Sequence, residues 1–217
     1  MSAGSLGKRF FETTRGQVLD LLRRGTHTVE ELASILGLTD NAIRSHLASL
    51  ERDGLIRQVG VRRGQGVGKP ATLYELDPGA EPLLSRAYAP VLGALLDELA
   101  EQLPGERAED VMEGAGRRLA SIVGRAPAGD LRTRVAAGAA LLTSLGGLAE
   151  VERKEGALVI RGCGGCPLSA ATARHPGLCR AVEVLLTEYI GAPVKECCDR
   201  QDRPRCHFEI PDVPAAA

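Results

Sequence analysis

The sequence predicts an α+β protein with three parts: an N-terminal winged helix-turn-helix, a helical connector and dimerisation region, and a small α+β domain rich in cysteine. Two observations support this fold class. Short amphipathic helices separated by glycine precede two strand-like runs joined by a basic, glycine-rich loop, and all six cysteines lie after residue 162. We place the three parts at residues 1–78, 79–128 and 129–211.

Length and composition allow sizeable cores, because the chain has 217 residues of which 44% are hydrophobic. The first residues show no apolar signal segment, and no apolar run approaches the roughly 18 residues that a membrane span needs. We therefore expect a cytoplasmic protein that does not associate with membranes. Disulfides are uncommon in the cytosol, so a cysteine cluster there favours metal binding or catalysis.

The formal net charge of -1 conceals a local basic segment. Residues 57–70 contain no acidic residue but carry four bases, namely Arg57, Arg62, Arg63 and Lys69. A basic patch on a nearly neutral protein is typical of one element that faces nucleic acid.

Three helices are predicted before residue 55. Apolar residues at helical spacing indicate a first helix over 8–24. Thr28 and Glu31 form a capping box that begins the second helix, which Gly37 ends. Thr39 or Asp40 can cap the third helix, whose buried stripe is formed by Ile43, Leu47 and Leu50.

The outer face of the third helix is small, polar and basic. Helical geometry turns Asn41, Ser45 and Arg52 away from the buried stripe and places Arg44 on the flank. Arginine can read guanine and asparagine can read adenine in a major groove, which makes these four residues candidates for DNA contact. The alternative interpretation is an ordinary solvated helix face.

The two strands that follow, 55–59 and 72–76, predict a wing. Glycines in the connecting loop allow the backbone to lie close to a phosphate ridge. Its cations Arg62, Arg63 and Lys69 would supply the salt-dependent, sequence-independent part of DNA affinity.

The order of these parts resembles the winged-helix regulators of the ArsR and DeoR type. The resemblance is carried by residues 42–56 (AIRSHLASLERDGLI), then by Gly68-Lys69-Pro70 and by Tyr74-Glu75-Leu76. It implies a transcription regulator that binds a double-stranded DNA operator and is not an enzyme.

The middle region predicts a helix over 81–103 with a broad apolar face. Because helix-turn-helix proteins commonly pair to match two half-sites, this face is a candidate homodimer interface. Packing within one chain is an equally weighted alternative. Further helices are predicted over 105–123 and 130–145.

The cysteine domain predicts a hairpin over 149–161, a loop that contains Cys163 and Cys166, and a helix from about residue 177 with Cys179 in its first turn. Strands follow at 194–198 and 205–210. Alternation places Cys206 on the same strand face as Phe208 and Ile210. It places Cys198 on the same face as Val194, and Cys197 on the opposite face. Cys198 is therefore favoured over Cys197 to face a common centre.

Four thiolates from a loop, a helix start and two strand ends could enclose either an iron-sulfur cluster or a tetrahedral zinc ion. The cysteines lack the two close CxxC pairs of a zinc ribbon. Spacing alone does not choose between the two centres.

Four motifs resemble the SufR-type iron-sulfur transcription regulators: Cys166-Pro167-Leu168, residues 175–179 (HPGLC), residues 191–194 (GAPV) and residues 206–210 (CHFEI). In that family a winged helix is fused to a cysteine domain with an oxygen-labile cluster, and the dimer represses or activates genes according to cluster state. The resemblance implies cluster ligands at Cys166, Cys179 and Cys206. This chain lacks the cysteine that the family would place near Pro193, so Cys198, or else Cys197, takes that role, and the cluster is [2Fe-2S] or [4Fe-4S].

Two alternatives to iron-sulfur sensing remain. One is a winged-helix regulator with a structural zinc site and another effector. The other is a thiol-disulfide oxidoreductase that uses Cys163 and Cys166, although no thioredoxin-like βαβ pattern surrounds this CxxC. Cys163 is otherwise a spare ligand, a resolving thiol or an exposed cysteine, and His175 and His207 are possible non-cysteine ligands.

Overall fold

The structure, a computed structural model, describes residues 9–63, 70–85, 87–199 and 204–212. The chain divides into two compact units, Met1–Ala87 and Tyr88–Ala217. The helices of the predicted connector from Tyr88 onward thus belong to the second unit. In the described part of the chain, no helix combines the length and apolarity that a membrane span requires.

The first unit is a winged helix-turn-helix, as the sequence predicts. Its elements are α1 (Thr14–Arg24), α2 (Val29–Leu36), α3 (Asp40–Arg52), β1 (Ile56–Arg62), β2 (Ala71–Leu76), a 3-10 turn (Pro78–Ala80) and α4 (Glu81–Leu84). The two strands pair antiparallel from Ile56 opposite Leu76 to Arg62 opposite Ala71. The core joins all three main helices to the base of the hairpin and consists of Val18, Leu19, Leu22, Val29, Leu32, Ala33, Ile43, Leu47, Leu50 and Ile56.

Local signals set the helix ends of this unit. Thr28 accepts a hydrogen bond from the Glu31 N–H at 3.2 Å, and the Glu31 carboxylate accepts one from the Thr28 N–H at 2.9 Å, so the predicted capping box is present. Gly37 ends α2 with a left-handed φ of 66°, which glycine adopts without steric cost. The cap of α3 is Thr39, whose hydroxyl accepts from the Ala42 N–H at 3.3 Å.

The first predicted helix is too long. A single helix is predicted over 8–24, whereas α1 begins at Thr14. The reason is Thr13, whose extended backbone and side-chain hydroxyl cap α1 by accepting from the Gly16 N–H at 3.1 Å. Residues 9–12 form a separate helical turn.

The second unit packs helices on one four-stranded antiparallel sheet. Its elements are α5 (Tyr88–Gln102), α6 (Gly105–Val123), α7 (Leu131–Ser144), β3 (Ala149–Lys154), β4 (Ala157–Gly162), α8 (Ser169–Thr172), α9 (Leu178–Ile190), β5 (Lys195–Glu196) and β6 (His207–Pro211). The strand order is β3-β4-β6-β5. One core joins α7, α9 and the sheet and consists of Val135, Ala139, Leu158, Ile160, Leu186, Ile190, Val194, Phe208 and Ile210.

The helix predicted over 81–103 is two helices in the structure. The backbone of Ser85 is extended and ends α4, and α5 begins at Tyr88. Pro90 lies in the first turn of α5, where the missing N–H of proline costs no helical hydrogen bond. Proline is therefore compatible with a new helix start at this point, which the apolar periodicity alone does not reveal.

Candidate functional site

The candidate DNA-reading residues of α3 are all on the solvent side. Asn41, Arg44, Ser45 and Arg52 are exposed, whereas the stripe formed by Ile43, Leu47 and Leu50 is buried. The helix therefore presents the polar and basic face that the helical spacing predicts. Thr39 and Asp40 lie at its N-terminus, and the Thr39 cap satisfies one of the N–H groups there.

The described part of the wing places Arg62 and Arg63 on the surface. The Arg62 guanidinium forms an ion pair with Glu31, the capping residue of α2. The backbone hydrogen bond from Thr28, followed by the hydrogen bond and charge of Arg62, lowers the pKa of Glu31. Lys69 lies outside the described residues.

Four cysteines of the second unit line one small cavity. They are Cys166, Cys179, Cys198 and Cys206, and Thr172 and Pro204 also contribute to the wall. The thiols of Cys166 and Cys206 are hydrogen-bonded to each other, as are those of Cys198 and Cys206 and those of Cys179 and Cys198. The sulfur atoms thus form a continuous group although Cys166 and Cys206 are 40 positions apart in the sequence.

Each thiol of this group, which we call the thiol cluster, is positioned by a different element. Cys179 is buried in the first turn of α9. Cys206 immediately precedes β6, and its carbonyl accepts from the Gly162 N–H at 2.8 Å at the end of β4. The loop residue Cys166 donates its N–H to the Pro204 carbonyl at 2.8 Å. Cys198 follows β5, and its sulfur lies 3.3 Å from the His207 nitrogen, which donates to it.

Mutual hydrogen bonding spreads the thiol pKa values apart. The hydrogen bond from the Cys206 thiol is the largest influence on Cys166 and lowers its pKa to about 7, and the same bond raises the pKa of Cys206 to about 11. At Cys198 the hydrogen bond from Cys179 acts to lower the pKa, but the bond to Cys206 and burial outweigh it and raise the pKa to about 12. One thiolate is thus stabilised by neighbouring S–H groups, whose protons a soft cation would displace.

The two remaining cysteines lie apart from the thiol cluster. Cys197 and Cys163 are both exposed. Burial raises the pKa of Cys197, and a hydrogen bond with Glu150 is the largest of the influences that raise the pKa of Cys163. Within the described residues, the structure brings together Cys166, Cys179, Cys198 and Cys206 but neither of these two.

Sequence reasoning missed two polar residues beside the thiol cluster. Thr172 is 5% exposed and hydrogen-bonds with Cys166. Glu196 lies so close that one ligand atom each from Cys179, Glu196 and Cys198 fall within 4.8 Å of one another. Glu196 and Cys198 are two positions apart in an extended segment, so the alternation that selects Cys198 could also have selected Glu196.

Of the two histidines considered as ligands, His175 instead makes a hydrogen bond to Asp97. Its Nε2 lies 2.8 Å from Asp97 Oδ1, and Arg174 Nη1 lies 2.8 Å from Asp97 Oδ2. These contacts attach the loop before Cys179 to α5. His207 Nε2 lies 3.3 Å from Glu209 Oε1.

Comparison with known proteins finds a family match within the first unit. Residues 12–58 match the family described as "Bacterial regulatory protein, arsR family". Comparison with curated proteins returned no match. The matched family consists of regulators, in agreement with the expectation that the chain is not an enzyme.

Several solved structures are similar to parts of the chain. Reduced HlyU from Vibrio cholerae is 30% identical over 38% of this chain and 80% of its own, with a TM-score of 0.28. The adhesin competence repressor AdcR from Streptococcus pyogenes is 19% identical over 52% of this chain and 82% of its own, with a TM-score of 0.29. The transcriptional regulator BldR from Sulfolobus solfataricus is 20% identical over 54% and 84%, with a TM-score of 0.30.

The family match covers the helix-turn-helix and the first strand of the wing. Both are formed as a DNA-binding domain requires, with an exposed polar face on α3. The first unit is therefore a winged-helix domain that matches the arsR family over residues 12–58, and the chain is a DNA-binding transcription regulator.

Proposed function

We propose that this protein is a cytoplasmic, homodimeric transcription regulator whose operator binding is controlled by an iron-sulfur cluster held by Cys166, Cys179, Cys198 and Cys206. The observation that supports the proposal is the convergence of these four thiols on one cavity. Thiolates are the ligands that iron-sulfur clusters use. Cytosolic thiols remain reduced, which leaves metal binding as the most economical reason for such a group.

The residues present fit a soft metal centre. All four candidate ligands offer sulfur, and the N–H of His207 donates to Cys198 Sγ, an interaction of the kind that tunes cluster sulfurs. A bound cluster would supply a redox-sensitive cross-link between the loop at Cys166, the start of α9 and the two strand ends. The resemblance to the SufR-type regulators favours a cluster over structural zinc, which is the rival occupant.

The coupling requires that cluster state changes the relative stability of two dimer arrangements. Within the protein itself, S–H hydrogen bonds, the His207 N–H bond to Cys198 Sγ and the packing of the elements that carry them hold the thiol cluster. A centre that binds all four sulfurs would fix the loop over residues 162–168 against β5 and β6. The second unit would then be more ordered with the cluster bound than without it, and the affinity for the operator would change with cluster occupancy.

Anaerobic reconstitution tests the metal half of this proposal. We expect visible absorption together with stoichiometric iron and acid-labile sulfide. Cys198→Ser should lower the iron content, whereas Cys197→Ser, which alters the exposed neighbour, should retain it. A colourless protein that contains stoichiometric zinc after the same treatment would reject the cluster.

Operator binding tests the DNA half. Arg44→Ala should cost about 1–3 kcal/mol of binding free energy and relax base preference, because arginine reads base edges. Lys69→Ala should weaken binding to all sequences evenly and lower the salt slope by about one. Fluorescence anisotropy at several salt concentrations measures both effects. Unchanged operator binding by both variants would contradict the assignment of the DNA-binding surface.

The proposed dimer surface is the apolar stripe of α5. Tyr88, Val91, Leu92 and Leu95 recur at helical spacing and are 37–65% exposed, which is unusual for a row of large apolar side chains. Leu95→Glu should shift sedimentation to the monomer, while Ile122→Glu on α6, where the side chain is 79% exposed, should remain dimeric. Dissociation by Ile122→Glu alone would place the interface elsewhere.

A further inference from the structure

Glu196 lies next to two thiols of the thiol cluster, those of Cys179 and Cys198. The ligand atoms of Cys179, Cys198 and Glu196 all fall within 4.8 Å of one another, and Cys179 is buried while the other two are half-buried. We infer that these three residues form a binding site for a single divalent cation of the Zn²⁺ or Fe²⁺ class. This ligand set shares two cysteines with the thiol cluster but uses a carboxylate in place of Cys166 and Cys206.

Two hydrogen bonds from main-chain N–H groups to carboxylates hold Glu196 in place. The Cys198 N–H donates to Glu196 Oε1 at 2.5 Å, which orients the carboxylate. The Glu196 N–H donates to Glu183 Oε2 at 2.9 Å. Glu183 lies one helical turn after Cys179 on α9, so this bond ties β5 to the helix that carries the buried thiol. The position of Glu196 relative to α9 is thus set by a bond between its main-chain N–H and the Glu183 carboxylate.

The spacing is close to that of a coordinated ion. Zinc binds thiolate at about 2.3 Å and carboxylate at about 2.0–2.2 Å, so two ligand atoms at tetrahedral angles are separated by roughly 3.5–3.8 Å. A group that already lies within 4.8 Å needs contractions of at most about 1.0–1.3 Å to close on the ion. Side-chain rotation supplies displacements of this size without moving the backbone.

The chemistry of the three ligands selects the cation. Two thiolates and one carboxylate suit borderline ions such as Zn²⁺, Fe²⁺ and Co²⁺, whereas Mg²⁺ and Ca²⁺ require sets of oxygen ligands. Three protein ligands leave one tetrahedral position for water or another thiol.

The inference does not rest on the proposed iron-sulfur function. A single ion needs Glu196 and does not need Cys166, whereas the cluster needs Cys166 and does not need Glu196. The two sites therefore respond to opposite substitutions. Each can fail while the other stands.

Titration of the metal-free, reduced protein with Co²⁺ under anaerobic conditions tests the site, because thiolate-to-cobalt charge-transfer bands report sulfur ligation directly. At low Co²⁺ concentration we expect one bound Co²⁺ whose charge-transfer bands correspond to two thiolate ligands. Competition with Zn²⁺ then gives the affinity for Zn²⁺. Glu196→Gln retains an oxygen that can accept from the Cys198 N–H, yet we expect it to weaken Co²⁺ binding about tenfold or more. Glu188→Gln, an exposed change on α9, is the matched control and should bind as the natural chain does.

Cys166→Ser separates the two ligand sets, since it should retain Co²⁺ binding while it loses the capacity to assemble a cluster. Glu196→Asp keeps the charge on a shorter side chain and should give an intermediate affinity, and far-UV circular dichroism confirms that each variant is folded. Unchanged Co²⁺ affinity in folded Glu196→Gln would overturn the inference. The same conclusion would follow if Cys166→Ser weakened Co²⁺ binding as much as Cys179→Ser.

Discussion

Gly114 and Gly116 lie on α6 with one residue between them. Substitution of each by alanine should nevertheless have opposite effects on stability. A Cβ atom at Gly116 would lie 2.4 Å from the Ala181 carbonyl oxygen and 2.8 Å from Val184 Cβ, both on α9. A Cβ atom at Gly114 would meet nothing within 4 Å. Gly116 therefore permits the close contact of α6 with α9, whereas Gly114 only weakens its helix.

The magnitudes follow from two opposing terms. Alanine gains about 1 kcal/mol over glycine in a helix interior. At Gly116 this gain is outweighed, because overpacking costs about 1–3 kcal/mol and the upper half of that range applies where the clash is with a backbone atom. We expect Gly116→Ala to destabilise the second unit by about 1–2 kcal/mol and Gly114→Ala to stabilise it by about 0.5–1 kcal/mol.

Urea denaturation followed by far-UV circular dichroism measures the difference, and hydrogen exchange in residues 105–123 and 178–190 assigns it to this unit. Since α9 carries Cys179 in its first turn, Gly116→Ala should also accelerate thiol modification at Cys179. Equal or greater stability of Gly116→Ala relative to Gly114→Ala would refute the close-packing argument.

Two further predictions concern charged side chains. The pKa of Glu31 is lowered from 4.5, chiefly by the hydrogen bond from Thr28. The stabilising contribution of Glu31 is therefore complete above about pH 4.5 and is lost as the pH falls through the lower pKa of the folded state. The difference in urea midpoint between the natural chain and Glu31→Gln should shrink on acidification, and a difference that grew would contradict this sign. Asp97→Asn weakens the contacts to Arg174 and His175 at 2.8 Å. Because the pair with Arg174 is exposed, this substitution should cost less than about 1 kcal/mol of stability, while hydrogen exchange in residues 173–178 increases. Asp110→Asn is the control, and identical exchange in the two variants would show that Asp97 does not hold this loop.

The first unit could be predicted because its signals are local. The Thr28–Glu31 capping box, the glycine after α2 and the apolar spacing of α3 each act within a few residues, and the structure confirms the fold they predict. The errors there are also local. Thr13 begins a new helix inside a continuous apolar pattern, and Ser85 ends one, because backbone conformation at a single residue overrides periodicity.

The second unit was harder to predict because its organisation depends on distant contacts. In the order β3-β4-β6-β5, β4 pairs with β6 although 44 residues separate the two strands in the chain. The N–H of Gly162 donates to the carbonyl of Cys206 at this pairing. Strand alternation predicts Cys197 and Cys198 on opposite sides; in the structure Cys197 is exposed and Cys198 lines the cavity. The proximity of Glu196 to Cys179 depends on the Glu183 hydrogen bond between β5 and α9, which no spacing in the sequence encodes.

The distribution of the thiol cluster has a thermodynamic consequence for control. A ligand that binds only the folded state adds RT ln(1 + [L]/Kd) to stability, or about 4 kcal/mol at a thousand times Kd, which is a large part of the roughly 5–15 kcal/mol that holds a domain folded. The sulfur atoms belong to the second unit alone, so occupancy would change the order of that unit and of its exposed α5 stripe. The first unit has its own buried core and contains no cysteine. Control on the proposed function is therefore expected to act through the pairing of two intact DNA-binding domains and not through their unfolding.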